Sequence, residues 1–469
     1  MTHPARLIMS ALLGMLGSTA GADAPAPVEP VLPPALARQV DGAIRQVLAE
    51  DGTPSASVAI VRQGRIVYAR AFGLASSVPR RSASVDTRYQ LASASKSITA
   101  QTLLLLAADG TLSLDAPVSR WLPQVTDAGH ITVRELLEHV SGLPDHYPQT
   151  YPAGPRSALT TPDRIIAQWG SHPLLFAPGA RFRYSNLNYV MAGRIAELAS
   201  GKPLFALQQR RIFRPLGMAD VIDLDHVTPN TPNVATGYVR TGLGPLEPAP
   251  DEGPGWSFGA GQIVATASDL ARWDIALLSG KLLPDRQARE EVTPPLLLSG
   301  DRSPYALGLF VSRKSGRLVW SHVGQGLGFL AGNSIYPDDD TAIVVLTNTS
   351  ATVSFAHIAD RLAFLLLPPT SVDARARRLF AQLQGGAPDR ALLTPEFSAF
   401  LDAHRLGTYT ASLGPLGSFD SFVLKSEDEA DGITTRRYEA SAGGKRLSII
   451  WEELADGRTD DFAIQPAVE

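Results

Sequence analysis

The period of the apolar positions changes along the chain, and each change marks an element. A helical period over about Ala35 to Ala49 gives way to two strand-like runs, Ala56 to Val61 and Arg65 to Phe72. Gln63-Gly64 between them reads as a hairpin turn. A helix carrying Leu103 to Leu106 stops at Asp109-Gly110. Thr132 and Glu135 have capping-box spacing ahead of Leu136-Leu137, and Thr266 and Asp269 repeat it ahead of Leu270 to Leu278. The first of these helices ends at Ser141-Gly142-Leu143-Pro144, and residues 145–260 mix helical patterns such as Tyr189 to Ala199 with Pro/Gly-rich stretches. From Tyr305 the period falls to two: Gly308-Phe310-Ser312, Leu318-Trp320, Phe329 to Tyr336 and Thr341 to Leu346 read as successive strands, closed by a helix near Ser354 to Leu366.

Early and late strands around a helical middle predict an α/β (α+β) fold: an antiparallel sheet flanked by helices, with a helical insertion, over 35–367. Leu367-Pro368-Pro369-Thr370 marks a linker at 368–370. Residues 371–469 form a separate small α+β module. It has a basic helix at Asp373 to Leu383, another near Thr394 to Ala403, and strands at Ser421 to Leu424, Thr434 to Ala440, Arg446 to Trp451 and Arg458 to Ile464. This module is similar to the appended domains of nuclear-transport-factor type. The short acidic run Glu427 to Asp431 reads as a solvated turn.

A hydrophobic fraction of 44%, a charged fraction of 19% and a net charge of -4 give no basis for nucleic-acid or anionic-membrane binding. Residues 1–22 read as a signal peptide, with Arg6 before an apolar core from Leu7 to Leu16 and Ala20-Gly21-Ala22 as the cleavage pattern. The apolar core is shorter than the roughly 20 residues of a spanning helix. The expectation is an exported, periplasmic or secreted protein without a membrane span after cleavage, led by a Pro/Ala-rich segment at 23–34. The chain has no cysteine, which removes disulfides, thiolate metal sites and a cysteine nucleophile together. No metal-binding histidine motif is present, and no cofactor is expected. Oligomeric state is left open.

The chemistry concentrates in three places. Leu91-Ala92-Ser93-Ala94-Ser95-Lys96 puts a serine and a lysine three apart at a helix start, hence on one face, with the amine near the hydroxyl. Serine needs such a neighbour to become a nucleophile. Tyr184-Ser185-Asn186 lies in the helical insertion, and His322-Val323-Gly324 on a late strand. In this order and separation the three motifs resemble the serine β-lactamase and penicillin-recognising family, whose first motif is S-x-x-K. Leu136-Leu137-Glu138-His139-Val140-Ser141-Gly142-Leu143 and Gly259-Ala260-Gly261-Gln262 through Ala271 also resemble the family's segments. The likeness covers 35–367.

The resemblance implies a serine hydrolase that forms an acyl-enzyme on a small-molecule or peptide substrate. Ser93 would attack the carbonyl, and Lys96 with Tyr184 would take its proton, either being the base. Lys96 would lower the Tyr184 pKa, and Tyr184 would return the proton to the leaving group. Asn186 would reach the acyl-side amide, and His322 would hydrogen-bond Tyr184 or the leaving group. Backbone N–H groups of Ser93 and Gln325 would form the oxyanion hole, with Gly324 allowing close approach.

One departure from the family pattern changes the substrate expected. Relatives with K-T-G or H-T-G at the third motif use the threonine hydroxyl to hold a substrate carboxylate, and here Val323 stands in that place. Esters or amides without a free carboxylate, D-amino-acid peptides among them, are therefore preferred. D-alanyl-D-alanine carboxypeptidase or β-lactamase activity is the first alternative, and a non-catalytic binding or sensor protein the second. Gly255-Trp256-Ser257-Phe258-Gly259 matches the elbow pattern G-x-S-x-G, but Pro248, Pro250 and Pro254 leave no strand ahead of Ser257. His139 is expected to be structural, as are the pairs Asp145-His146 and Asp225-His226. Tyr147, Tyr151 and Trp256 stand equally as cleft or packing residues.

Overall fold

The computed structural model describes residues 32–146, 157–314, 316–430 and 432–467. The signal segment, most of the leader, Tyr147 and Tyr151 lie outside the described residues. Seven strands form the main sheet: β1 (Ser55–Arg62), β2 (Arg65–Ser77), β3 (Arg80–Ser82), β4 (Phe310–Lys314), β5 (Arg317–Gly326), β6 (Phe329–Tyr336) and β7 (Thr341–Thr347). They run antiparallel in the order β3-β2-β1-β7-β6-β5-β4. The sheet is central because β1 is apolar on both faces. Val58 and Ile60 pack on one side with α1 (Pro34–Asp51) and α6 (Ser354–Leu366). Ala59 and Val61, alternating with them, face a larger core on the other side.

That larger core contains α2 (Ser95–Ala108), α3 (Val133–Leu137), α4 (Asn186–Ser200) and α5 (Ala267–Ser279). Helix α2 is buried from Ser95 to Leu106, so it runs through the core rather than along a surface. Both expected capping boxes are present. Thr132 caps α3 with Glu135 reaching back, and Thr266 caps α5 with Asp269. A cap of this kind is typically worth about 1 kcal/mol, enough to fix where a five-residue helix begins.

After Leu366 the chain turns through Thr370, whose side chain accepts from the Asp373 amide and caps α7 (Ser371–Gln384). Helices α8 (Pro395–Phe400) and α9 (Ala403–Leu413) follow. A four-stranded meander completes this part: β8 (Phe419–Ala430), β9 (Ile433–Ala442), β10 (Lys445–Leu454) and β11 (Thr459–Pro466). It has its own apolar cluster, with Phe380, Leu383, Tyr438, Ile449 and Phe462 buried. Contact with the main sheet's helix α6 is polar at one point and aromatic at another. Asp360 lies 3.6 Å from both Lys314 and Lys425, and the Arg377 guanidinium sits 4.4 Å over the Phe364 ring. The acidic run is corrected here. Glu427, Asp428 and Glu429 form the end of strand β8 rather than a turn, paired with Arg436, Thr435 and Thr434. The reason is that the Arg436 guanidinium donates to the Glu427 carboxylate in an ion pair across the strands.

Candidate active site

Ser93 does not sit on the α-helix as the spacing suggested. It occupies a one-turn 3-10 segment, Ala92–Ala94, directly before α2. In that tighter turn residues three apart eclipse, which brings Lys96 over Ser93. The preceding residue Ala92 has φ +44°, an uncommon conformation for a residue with a side chain. Lys96 is fully buried, and its Nζ donates to Ser93 Oγ at 2.9 Å, Asn186 Oδ1 at 2.8 Å and the Ala260 carbonyl at 2.9 Å. Burial pushes its pKa down to about 7, against the opposing pull of the Asp145 carboxylate.

Tyr184 lies just ahead of α4 and lines the same cleft as Ser93. The expected lowering of its pKa is corrected: burial is the dominant influence and raises it above the ordinary tyrosine value, against the opposing influence of the Ser93 hydroxyl. Asp145 was not singled out as part of the site, yet its carboxylate accepts from the Asn186 amide at 2.9 Å and from Asn186 Nδ2 at 3.0 Å. That clamp turns Oδ1 of Asn186 toward Lys96. The Asp225 carboxylate likewise accepts from the Gly255 amide at 3.0 Å and holds the glycine loop.

His322 is buried on β5, and both of its ring nitrogens are engaged away from Tyr184. Nδ1 lies 2.9 Å from the Val323 carbonyl, which can only accept, so Nδ1 carries the proton. Nε2 then accepts from the Tyr305 hydroxyl at 2.9 Å. The expected hydrogen bond from His322 to Tyr184 is thereby corrected. The ring stays neutral because burial lowers its pKa to about 3. Its backbone N–H donates to Asn333 Oδ1, and Asn333 Nδ2 donates to Asp274, a fully buried group on α5 whose pKa burial raises well above the carboxylate range. Tyr305, Asn333 and Asp274 carry no local signal, since their partners are far off in sequence.

Gly324 leaves no room for a side chain: a Cβ there would lie 1.8 Å from the Leu91 carbonyl oxygen. The strand carrying Gln325 is thus seated directly against the segment carrying Ser93. Between them opens a cleft of about 240 Å³, lined by Gln90, Ser93, Tyr184, Asn186, Trp256, Ser257, Phe310, Val323 and Gln325, among others. Trp256 therefore lines the cleft. Ser257 also lines it, but its hydroxyl donates to Glu252 at 2.9 Å, it sits in a run of turns, and no strand leads into it. His139 is buried at φ +57°, and its Nδ1 accepts from the Ser185 amide at 3.3 Å. Among the described residues no group of three or more His, Cys, Asp or Glu is gathered to hold a metal, and no helix is long and apolar enough to cross a membrane.

The beta-lactamase family model matches residues 40–367. The putative penicillin-binding protein PbpX of Bacillus subtilis (strain 168) is 28% identical over 313 residues, covering 66% of this chain and 75% of that protein. Esterase EstB of Burkholderia gladioli is 36% identical over 201 residues, covering 39% of this chain and 51% of the esterase. Among solved structures, a D-stereospecific amidohydrolase from Streptomyces sp. superposes with a TM-score of 0.61 at 26% identity, covering 70% of this chain and 99% of that one.

Proposed function

Because this chain belongs to the beta-lactamase family of serine hydrolases, we propose that it cleaves esters or amides, D-amino-acid peptides included, through an acyl-enzyme on Ser93. The observation that carries this reading is the buried Lys96 amine 2.9 Å from Ser93 Oγ, with its pKa lowered to about 7. In the neutral amine, two N–H bonds go to Asn186 Oδ1 and the Ala260 carbonyl, and the lone pair faces the serine hydroxyl. Lys96 takes the proton as Ser93 Oγ bonds to the substrate carbonyl carbon. Tyr184, kept protonated by its burial, delivers a proton to the departing heteroatom and recovers one from Lys96. The backbone N–H groups of Ser93 and Gln325 hold the oxyanion, each such donor being worth about 3 kcal/mol. Water then attacks the acyl carbon with the same groups acting in reverse. His322 serves by supporting Tyr305 and the strand that carries Gln325. The pattern Arg6, Leu7 to Leu16 and Ala22 supports export.

The cleft supports a substrate without a carboxylate. None of its described lining residues is Lys or Arg, and Val323 is 44% exposed beside Phe310 and Trp256. A carboxylate placed there would lose water without meeting a cationic partner among the described lining residues. The test is a panel of a p-nitrophenyl ester, a D-alanyl p-nitroanilide and nitrocefin, read by turnover and intact mass. Turnover of the ester or the D-alanyl amide ahead of nitrocefin is expected; nitrocefin as the best substrate would sink the carboxylate argument. Val323→Thr supplies the missing hydroxyl. A hydrogen bond to a charged group contributes roughly 1.5–3 kcal/mol, so the variant's acylation by nitrocefin should rise about tenfold or more, while ester turnover holds or falls.

A further inference from the structure

His139 combines three features. Its backbone lies at φ +57°, a conformation few residues with side chains adopt. Its ring is enclosed by those of Tyr184, Tyr189 and Tyr305, with centroids at 4.3, 5.1 and 4.7 Å. Its Nε2 is buried and has no hydrogen-bond partner among the described residues. The tautomer follows from the donors around Nδ1. The Ser185 backbone N–H can only donate, and it points at Nδ1 at 3.3 Å. Asn188 Nδ2 lies 3.2 Å from the same nitrogen, while Oδ1 of Asn188 accepts from Ser141. Nδ1 therefore carries a lone pair, and the proton sits on the orphan Nε2.

We infer that His139 is the positioning residue for Tyr184: its Nδ1 lone pair pins the Ser185 amide and its ring face supports the phenol ring. Tyr184 and Asn186 flank Ser185 in the chain, so one acceptor fixes the direction of both toward Ser93 and Lys96. No other side chain supplies a flat apolar face and an in-plane acceptor together at a fully buried position. A leucine would give neither. An asparagine would place Oδ1 near the Nδ1 position and tolerates positive φ, but it has no ring. Protonation would remove the acceptor, and the surroundings oppose it: burial disfavours the charge, and the Lys96 cation, when present, repels it.

This inference rests on the acyl-enzyme reading above, and its test separates the two. His139→Leu and His139→Asn are purified, checked for folding by circular dichroism and melting, and assayed on the p-nitrophenyl ester from pH 6 to 10.5. His139→Leu should lower kcat about 100-fold, the scale of a 1 Å misplacement, with KM within about threefold. Its profile should acquire an alkaline fall near pH 10, because a loosened, hydrated Tyr184 ionises near the ordinary tyrosine value of about 10. His139→Asn should recover about tenfold of the lost kcat. Equal losses in both variants that follow melting temperature, with no new alkaline limb, would overturn the positioning role. Nitrogen-15 spectra of the parent give a check independent of turnover: the Nε2–H tautomer is expected, and an Nδ1–H tautomer would overturn the inference even in an active enzyme. A parent that acylates with none of the three substrates would instead overturn the hydrolase reading, and this inference with it.

Discussion

Ser93→Ala should give no covalent adduct with any substrate, and Lys96→Met should be nearly as inactive, each losing kcat on the order of 10⁶-fold. That is the scale on which one member of a catalytic unit disables the rest. The double variant should be no worse than either single one, because serine and lysine act as one nucleophile. Adducts persisting in Ser93→Ala would point to Ser257 and refute the assignment. The pH profile tests the base separately. The active form has Lys96 neutral, and its pKa is lowered to about 7 by burial. The parent's kcat/KM should therefore fall about tenfold per pH unit below that value and level off above it. Tyr184 adds no fall at neutral pH, since burial raises its pKa above the ordinary range. A profile flat between pH 5 and 8 would remove Lys96 from the role of base.

Gly324→Ala is the second substitution with a large expected effect, although it adds one methyl group. The new carbon would lie 1.8 Å from the Leu91 oxygen, 2.9 Å from the Leu91 carbonyl carbon and 3.1 Å from the Ala94 nitrogen. All three are backbone atoms, so no rotamer change relieves the clash, and β5 must move away from the Ser93 turn. Overpacking of this kind costs about 1–3 kcal/mol of stability. A displacement near 1 Å across the oxyanion site costs a further factor of about 100 in kcat. Gly326→Ala is the matched control, two residues along the same strand. Its added carbon would meet Gln90 Oε1 at 2.5 Å, the tip of a side chain that can swing aside. Melting curves and kcat for the pair should show Gly324→Ala losing both and Gly326→Ala losing little. Equal effects would mean that the seating of β5 on Leu91 does not set the site.

The sequence carried what is local. The hairpin at Gln63-Gly64, both capping boxes and the four strands after residue 415 follow from turn chemistry and period alone. The three motifs named the family because their order is a property of the chain. What the sequence could not carry is contact across distance and the solvent exposure that contact creates. The Asp145 clamp on Asn186 spans 41 residues and the Asn333–Asp274 bond spans 59. Tyr305 is 17 residues from His322, and nothing in its neighbours marks it as the partner that turns Nε2 away from Tyr184. The error over Tyr184 has the same origin. A lysine near a phenol lowers its pKa only while the lysine is charged; burial shifts Lys96 toward the neutral amine and itself raises the Tyr184 pKa. Likewise Glu427 read as a turn residue because Arg436, its partner, lies on the next strand.

The place of β1 in the sheet has a consequence for how the molecule is made. Its neighbours are β2, which follows at once, and β7, where Val58 meets Val345 and Ile60 meets Ile343. A ribosome delivers the β1–β2 hairpin early, after α1, with one backbone edge unpaired and the Ala59 and Val61 face uncovered. The sheet closes only when residues 341–347 emerge, after the nucleophile, the insertion and the glycine loop have all been synthesised. Such long-range pairing is slow and exposes unpaired edges on the way. Translation halted between Gly326 and Asp340 therefore leaves a nascent polypeptide with its catalytic residues all polymerised and no sheet centre to hold them.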